Sequence, residues 1–291
     1  MSSTKSQLLV KPDFSNQSYI SISPESAKWE HLNFAAIKLS KGQSWSFNTS
    51  DYELALTILG GTCDVISSAG NWEHIGSRED VFHGMPTALY LPRQTTFTVT
   101  AVSDSLDFAC GWAKTEKDYP AVLVKPEEVI VELRGGDNVS RQINKMLPAG
   151  FPCDRLVVVE VYTPSGNWSS YPPHKHDERK FDDQGNLLEA DLEEIYFYKV
   201  DKPEGYAYQR IYNDDRSLDE LFLVSDSQAV LSPEGYHPVV AAPGYNVYYL
   251  NYLAGSDQSL ASSDDPTYSW VKETWKEMDK RLPLVSIKMN K

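Results

Sequence analysis

Long helical periodicity is nearly absent from this sequence. Short runs of β-branched and aromatic residues recur instead between turn signals: Leu54–Leu59, Ala88–Leu91, Phe97–Val102, Leu156–Tyr162, Ile195–Val200, Tyr206–Tyr212, Leu221–Val224, Ala229–Ser232 and Tyr245–Leu250. Many of these runs alternate apolar and polar residues, as half-buried antiparallel strands do. Short strands separated by Gly, Pro, Asn and Asp fold as sandwiches or barrels, so the expected fold class is all-β. At 291 residues the chain is long enough for two such units.

The two halves read as weak copies of each other. Ala229-Val-Leu-Ser-Pro233-Glu-Gly-Tyr-His237 leads into a Tyr-rich strand, and Ala88-Leu-Tyr-Leu-Pro92-Arg-Gln-Thr-Thr96 leads into Phe97-Thr-Val-Thr-Ala. Aligning the prolines puts Thr96 where His237 stands. Gly135-Gly136-Asp137-Asn138 is a natural linker loop, so the expected division is an N-terminal barrel over residues 1–133 and a C-terminal barrel over 134–291. One short helix is expected near the C-terminus. Ser263 would cap it, Asp264, Asp265 and Pro266 suit its first turn, and Val271, Trp275 and Met278 would share an apolar face.

A formal net charge of −14 argues against a nucleic-acid partner, which needs a Lys/Arg surface, and against docking on an anionic membrane. No apolar run is long enough to span a bilayer, and the polar N-terminus does not read as a signal peptide. The cysteines Cys63, Cys110 and Cys153 are scattered and odd in number, which fits neither a disulfide framework nor a thiolate metal site. The expected location is the cytoplasm.

Chemistry concentrates in three segments. In Gly166-Asn-Trp-Ser-Ser-Tyr-Pro-Pro-His174-Lys-His176 the two imidazoles stand at i and i+2, on one face of a strand. A polar stretch with the turn signal Asp182-Asp-Gln-Gly185-Asn then leads to Glu194, at the head of Glu194-Ile-Tyr-Phe-Tyr-Lys-Val200. Pro233-Glu-Gly235-Tyr-His237 supplies a third imidazole. Three His and one Glu from a barrel make a mononuclear site for a divalent metal with open positions. The donor set suits Zn, Mn, Fe, Co or Ni and does not by itself choose among them; Zn or Mn is the expected occupant. Glu193 competes with Glu194 as the acidic ligand. Glu194 is preferred because it is in phase with Tyr196 and Tyr198, although a one-residue slip would reverse the choice. His31, His74 and His83 lie in no such motif, so the N-terminal barrel is expected to hold no metal and to buttress the second barrel or build a homo-oligomer interface.

The order HxH, Glu, PxGxH follows the cupin pattern. Longer stretches, from Glu160-Val-Tyr-Thr-Pro to Asp177, Leu192-Glu-Glu-Ile-Tyr, Gly205-Tyr-Ala-Tyr-Gln-Arg210-Ile-Tyr and Gly235-Tyr-His-Pro to Asn251, resemble the 5-deoxy-glucuronate isomerase family of bacterial myo-inositol catabolism. The likeness reaches Ser140-Arg141-Gln142 and, more loosely, Asp80-Val-Phe and Leu91-Pro-Arg93. It implies a bicupin of two jelly-roll barrels and a metal on His174, His176, Glu194 and His237. It also implies isomerisation of the sugar acid 5-deoxy-D-glucuronate to 2-deoxy-5-keto-D-gluconate.

That reaction moves a proton between adjacent carbons, so it needs a Lewis acid at the oxygens and a base. Glu194 and Glu193 are the carboxylate candidates for the base; a metal-bound hydroxide or a tyrosinate are alternatives. An anionic substrate needs a guanidinium fork, and Arg141 and Arg210 are the candidates. Lys175 and Arg179 also lie near the motifs, but alternation points Lys175 away from the metal. Tyr171, Tyr196, Tyr248 and Tyr252 pack in a β core by default, and Tyr248 is taken as a hydroxyl reaching the sugar. An Fe(II) cupin oxygenase and a sugar-binding or sensory cupin are the competing readings; no helix-turn-helix accompanies the sequence to support the last.

Overall fold

A computed structural model describes residues 8–290. Strand pairing is antiparallel throughout and builds the same arrangement twice. The first large sheet runs Val122–Val124, Thr87–Leu91, Tyr52–Gly60, Ser105–Lys114, Leu32–Ser40, Ser18–Ile22. It closes over a smaller sheet of Ser44–Asn48, Thr96–Ala101, Cys63–Ser67 and Gly70–Ile75. The second large sheet runs Leu9–Val10, Ala229–Ser232, Leu187–Val200, Val247–Gly255, Val157–Thr163, Arg141–Leu147, Ile130–Arg134, facing Trp168–Ser169, Val239–Ala241, Ala207–Tyr212 and Asp219–Val224. These are the two jelly-roll barrels of the expected fold. Two short segments that begin before residue 134 join the second large sheet: Leu9–Val10 pairs with Ala229 and Val230, and Ile130–Arg134 pairs with Arg141–Leu147.

The large sheets stack back to back, so their strands are buried on both faces. In Val247–Gly255, Val247, Tyr249 and Leu253 fill the second barrel, whereas Tyr248, Leu250, Tyr252 and Ala254 enter the core between the barrels. Leu54, Leu56 and Ile58 likewise fill the first barrel while Ala55 and Leu59 face the shared core. The approach is close: a Cβ on Gly111 would stand 2.2 Å from the ring of Tyr252.

Buried polar groups in this interface are paired, as burial requires. Arg78 holds Glu160 in a two-pronged ion pair at 3.2 and 3.0 Å. The Glu53 carboxylate accepts from the amides of Asp154, Arg155 and Leu156 at 2.6–3.0 Å. Glu193 does the reciprocal job, accepting from the amides of Glu30, His31 and Leu32.

The C-terminal helix is shorter than the pattern suggests. It is a six-residue 3₁₀ segment, Ser269–Thr274. Ser263 does not cap it; Ser263–Asp264 pairs with His174–Lys175. Asp265 takes the Thr267 amide at 2.8 Å and the Tyr212 hydroxyl at 2.7 Å. Beyond it the chain is an extended strap, with Trp275 against Gly136, Asp279 donating its amide to Ser140 and Leu284 donating to Gln142. A short helix is marginal in isolation, and these long-range partners satisfy the backbone instead. Among the described residues no helix is long and apolar enough to cross a membrane.

Candidate metal centre

Three backbone features bring the donors together. The loop after Trp168–Ser169 enters the His174–Lys175 strand, and His176 exchanges hydrogen bonds with Leu192: its carbonyl accepts the Leu192 amide at 2.8 Å, and its Nδ1 lies 3.1 Å from the Leu192 carbonyl. Glu194 follows two residues later on Leu187–Val200, on the face that carries Tyr196 and Tyr198 into the barrel. His237 is set by the turn before it, where Gly235 has φ +82° and a Cβ would stand 2.5 Å from the Tyr212 carbonyl oxygen. Only glycine suits that conformation and that approach. The Gly235 amide donates to Asp177 at 2.7 Å, which joins the two histidine segments directly. Lys175 points away from the donors, as alternation requires, and pairs with Asp177 and Asp214.

The ligand atoms of His176, Glu194 and His237 all lie within 4.8 Å of one another. His176 Nε2 is 3.0 Å and His237 Nε2 3.4 Å from the same oxygen, Glu194 Oε2. His174 borders the group, its ring centroid 4.9 Å from that of His237. Each Nδ1 faces a backbone carbonyl, Pro172 for His174 (3.3 Å), Leu192 for His176 (3.1 Å) and Gly235 for His237 (2.8 Å). A proton held on Nδ1 leaves Nε2 as a lone-pair donor, the usual outer support of a metal-binding imidazole.

Burial pushes His174 and His237 down to about 3; the positive Arg141 adds to the effect at His174, while Glu194 opposes it at His237. Both are therefore neutral, as ligands must be. Burial also disfavours charge on His176, but its bond to Glu194 outweighs this and raises its pKa. The buried Nε2 of His237 has no hydrogen-bond partner. An orphaned buried nitrogen aimed at a carboxylate and two more imidazoles fits a divalent cation, and the residues present suit one.

The cavity beside this cluster is lined by Arg134, Arg141, Lys145, Ser170, Tyr196 and Tyr249, with apolar walls from Ile143, Val159, Val161 and Leu253. Arg141 is buried, and its Nε and one terminal nitrogen have no partner. Three other expected site residues are elsewhere. Glu193 projects from the opposite face of its strand, into the amides of residues 30–32 and away from the imidazoles. Arg210 points out of the barrel and pairs with Asp219 at 2.7 and 2.8 Å, while its neighbour Gln209 faces inward to Tyr198. Tyr248 faces the other barrel and donates to Glu160 at 3.1 Å.

The tyrosine that this strand places at the cavity is Tyr249, one residue on. Tyr198 pairs with Tyr249, Tyr196 with Asn251 and Glu194 with Leu253, so the odd-numbered residues of that strand share the Glu194 face. That ladder is the signal the sequence lacked. Arg134 and Lys145 were missed too, although Arg141, Ile143 and Lys145 alternate on one face of a single strand.

In length and identity the chain has close counterparts. It is 44% identical over 257 residues to a 5-deoxy-glucuronate isomerase of Geobacillus thermodenitrificans, covering 88% of this chain and 91% of that one. It is 39% identical to the protein of that name from Bacillus subtilis strain 168, over 84% and 88%. An IolB-like protein from Salmonella typhimurium LT2 superposes with a TM-score of 0.86 at 35% identity, over 91% of this chain and 98% of that one. Oxalate decarboxylase shares the fold alone, with a TM-score of 0.60 at 11% identity over 84% and 74%. The family model described as KduI/IolB matches residues 8–271, nearly the whole described chain, and the chain belongs to that family.

Proposed function

We propose that the chain is a metal-dependent aldose–ketose isomerase of inositol catabolism that converts 5-deoxy-D-glucuronate to 2-deoxy-5-keto-D-gluconate. The observation that carries this reading is the buried guanidinium of Arg141, its Nε and one terminal nitrogen unpartnered, in the cavity that His174, His176 and Glu194 line, with His237 clustered against the last two. A buried cation without a counter-ion is costly, and a substrate carboxylate would relieve it with two parallel hydrogen bonds.

His174, His176, Glu194 and His237 would hold the metal, Zn or Mn, which supplies Lewis acidity for a carbonyl and its neighbouring hydroxyl. Arg141 fixes one end of the substrate by its carboxylate, and Arg134 and Lys145 add positive potential around it. Glu194 removes the proton from C2 and returns it to C1. Val159, Val161, Ile143 and Leu253 limit water around the reacting carbons. The same reading assigns the described residues up to 133 to a metal-free barrel and those from 134 to the catalytic one, except that Leu9–Val10 and Ile130–Arg134 join the latter by pairing; residues 1–7 and 291 lie outside the described residues. A cytoplasmic location accords with three buried, free thiols.

The test follows purified, metal-analysed protein with 5-deoxy-D-glucuronate by proton NMR in D₂O. Formation of 2-deoxy-5-keto-D-gluconate, abolished by chelation, is expected. Stoichiometric metal without turnover would retire the substrate assignment and leave the metal centre.

A further inference from the structure

One wall of the metal cavity carries a chain of buried hydroxyls to which the reaction as described gives no task. Tyr249 Oη lies 2.5 Å from Ser169 Oγ and 3.2 Å from Ser170 Oγ, and Ser170 Oγ lies 3.3 Å from Tyr196 Oη. Ser170, Tyr196 and Tyr249 all line the cavity with Arg141, His174, His176 and Glu194. The Tyr196 ring is 5.0 Å from that of Tyr249 and 5.7 Å from that of His237, so the chain begins beside the metal cluster. In every one of these contacts either oxygen can donate, so the polarity of the chain can reverse.

Isomerisation through an enediol needs two proton transfers, and a single carboxylate accounts for one. The hydrogen on C2 must reach C1, and the hydrogen on O2 must reach O1. Resting on the isomerase reading above, we propose that Tyr249, supported by Ser169 and Ser170, is the catalytic acid–base residue that exchanges the hydroxyl proton between O1 and O2.

The step balances without any co-reactant. Glu194 takes the C2 proton, the C2–H pair becomes the C1=C2 bond, and the carbonyl π pair moves to O1, which takes the Tyr249 proton. Loss of the O2 proton to Tyr249 restores the phenol as C2=O2 forms, and C1 recovers the proton held by Glu194. Tyr249 is better placed for this than Tyr196 because it contacts two serine oxygens, so a transient phenolate has two hydroxyl donors. Burial raises its pKa, against a smaller lowering by Arg141 and the serines, in keeping with a phenol that starts as the acid.

The experiment compares wild type, Tyr249→Phe and Ser170→Ala, each metal-loaded, with 5-deoxy-D-glucuronate in D₂O. For Tyr249→Phe, kcat should fall by about 10²-fold or more with metal content unchanged. Substrate recovered from that reaction should carry deuterium at C2, because carbon-proton removal no longer leads on to ketose. Ser170→Ala keeps the phenol and should lower kcat by about tenfold with a changed solvent isotope effect. Wild-type turnover with Tyr249→Phe near the wild-type rate would overturn the relay alone. So would loss of turnover with no deuterium at C2, which would make Tyr249 part of the carbon-proton step or of the packing. Should Tyr249→Phe not fold, an unchanged rate and isotope effect in Ser170→Ala would overturn it. No turnover by the metal-loaded wild type would remove the isomerase reading and the relay with it.

Discussion

The two barrels share a strand order and differ at the four positions of the candidate metal centre. Tyr52–Gly60 occupies the place in its sheet that Leu187–Val200 occupies in the other. Glu53 and Glu193 are matched residues, each reaching across to hold three amides at the start of the partner barrel's equivalent strand. One residue on, the match ends: Leu54 fills the first barrel's core, whereas Glu194 enters the cluster with His176 and His237. Leu54 stands opposite Leu91 and Glu194 opposite Ser232. Each is followed by a proline, and four residues later come exposed Thr96 and buried His237. Three residues join Ser44–Asn48 to Tyr52–Gly60, while the matching connection in the second barrel is long enough to carry His174 and His176. Repetition of the architecture thus does not repeat the site; donors arise from one inserted segment and two substitutions on a common frame.

This comparison can be broken most severely at the donors. His237→Ala should lose bound metal and reduce turnover by about 10³-fold or more, and Thr96→His should gain no metal, because the first barrel lacks the segment with His174 and His176. Metal analysis beside activity reads both.

Arg141→Met should keep the metal and weaken substrate binding, raising KM by about 10²-fold, the scale of losing a buried charged contact. Arg210→Ala is its control and should stay within about twofold, since an exposed Arg–Asp pair contributes little. Steady-state kinetics on both variants separate a cavity arginine from a surface one.

The glutamate pair offers a sharper test of equivalence. Glu53→Gln and Glu193→Gln should each lower stability by about 2–4 kcal/mol in urea unfolding, since each weakens several buried bonds to a charged acceptor. Glu193→Gln should nonetheless retain its metal when folded. Metal loss at unchanged stability would instead make Glu193 the ligand.

The smallest effect concerns pH. His174 and His237 stay neutral to about 3, so they set no limit on metal loading in mild acid. His176 has a raised pKa and must lose its proton to bind metal. Affinity should therefore rise with pH through the His176 titration and level off above it. A metal titration between about pH 5 and 8 checks the sign; a flat profile would mean that His176 does not compete for a proton.

The strands, the duplication and the His174, His176, Glu194 and His237 constellation were legible in the amino-acid order. Each rests on neighbours a few residues apart: alternation puts Glu194 in phase with Tyr196, and Gly235 permits the turn before His237. The misreadings share another cause. Tyr248 and Tyr249 both lie in a strand apolar on its two faces, so alternation could not say which face meets the cavity. That depended on pairing with Leu187–Val200, which sets Tyr248 opposite Lys199 and Tyr249 opposite Tyr198. Arg141 and Arg210 likewise sit in strands of similar composition, and only closure of the barrel turned one inward.

By itself, then, the sequence determined the all-β class, the repeat and the His–Glu residues that the fold brings together, because backbone sterics and side-chain spacing act locally. The tertiary structure decided which barrel face each strand presents, that Glu193 joins the barrels, and that the C-terminal segment is a strap with two short 3₁₀ segments, Ser269–Thr274 and Ile287–Asn290. Those outcomes depend on partners brought together only by folding, and a shift of one residue in register would reverse every side chain on the strand.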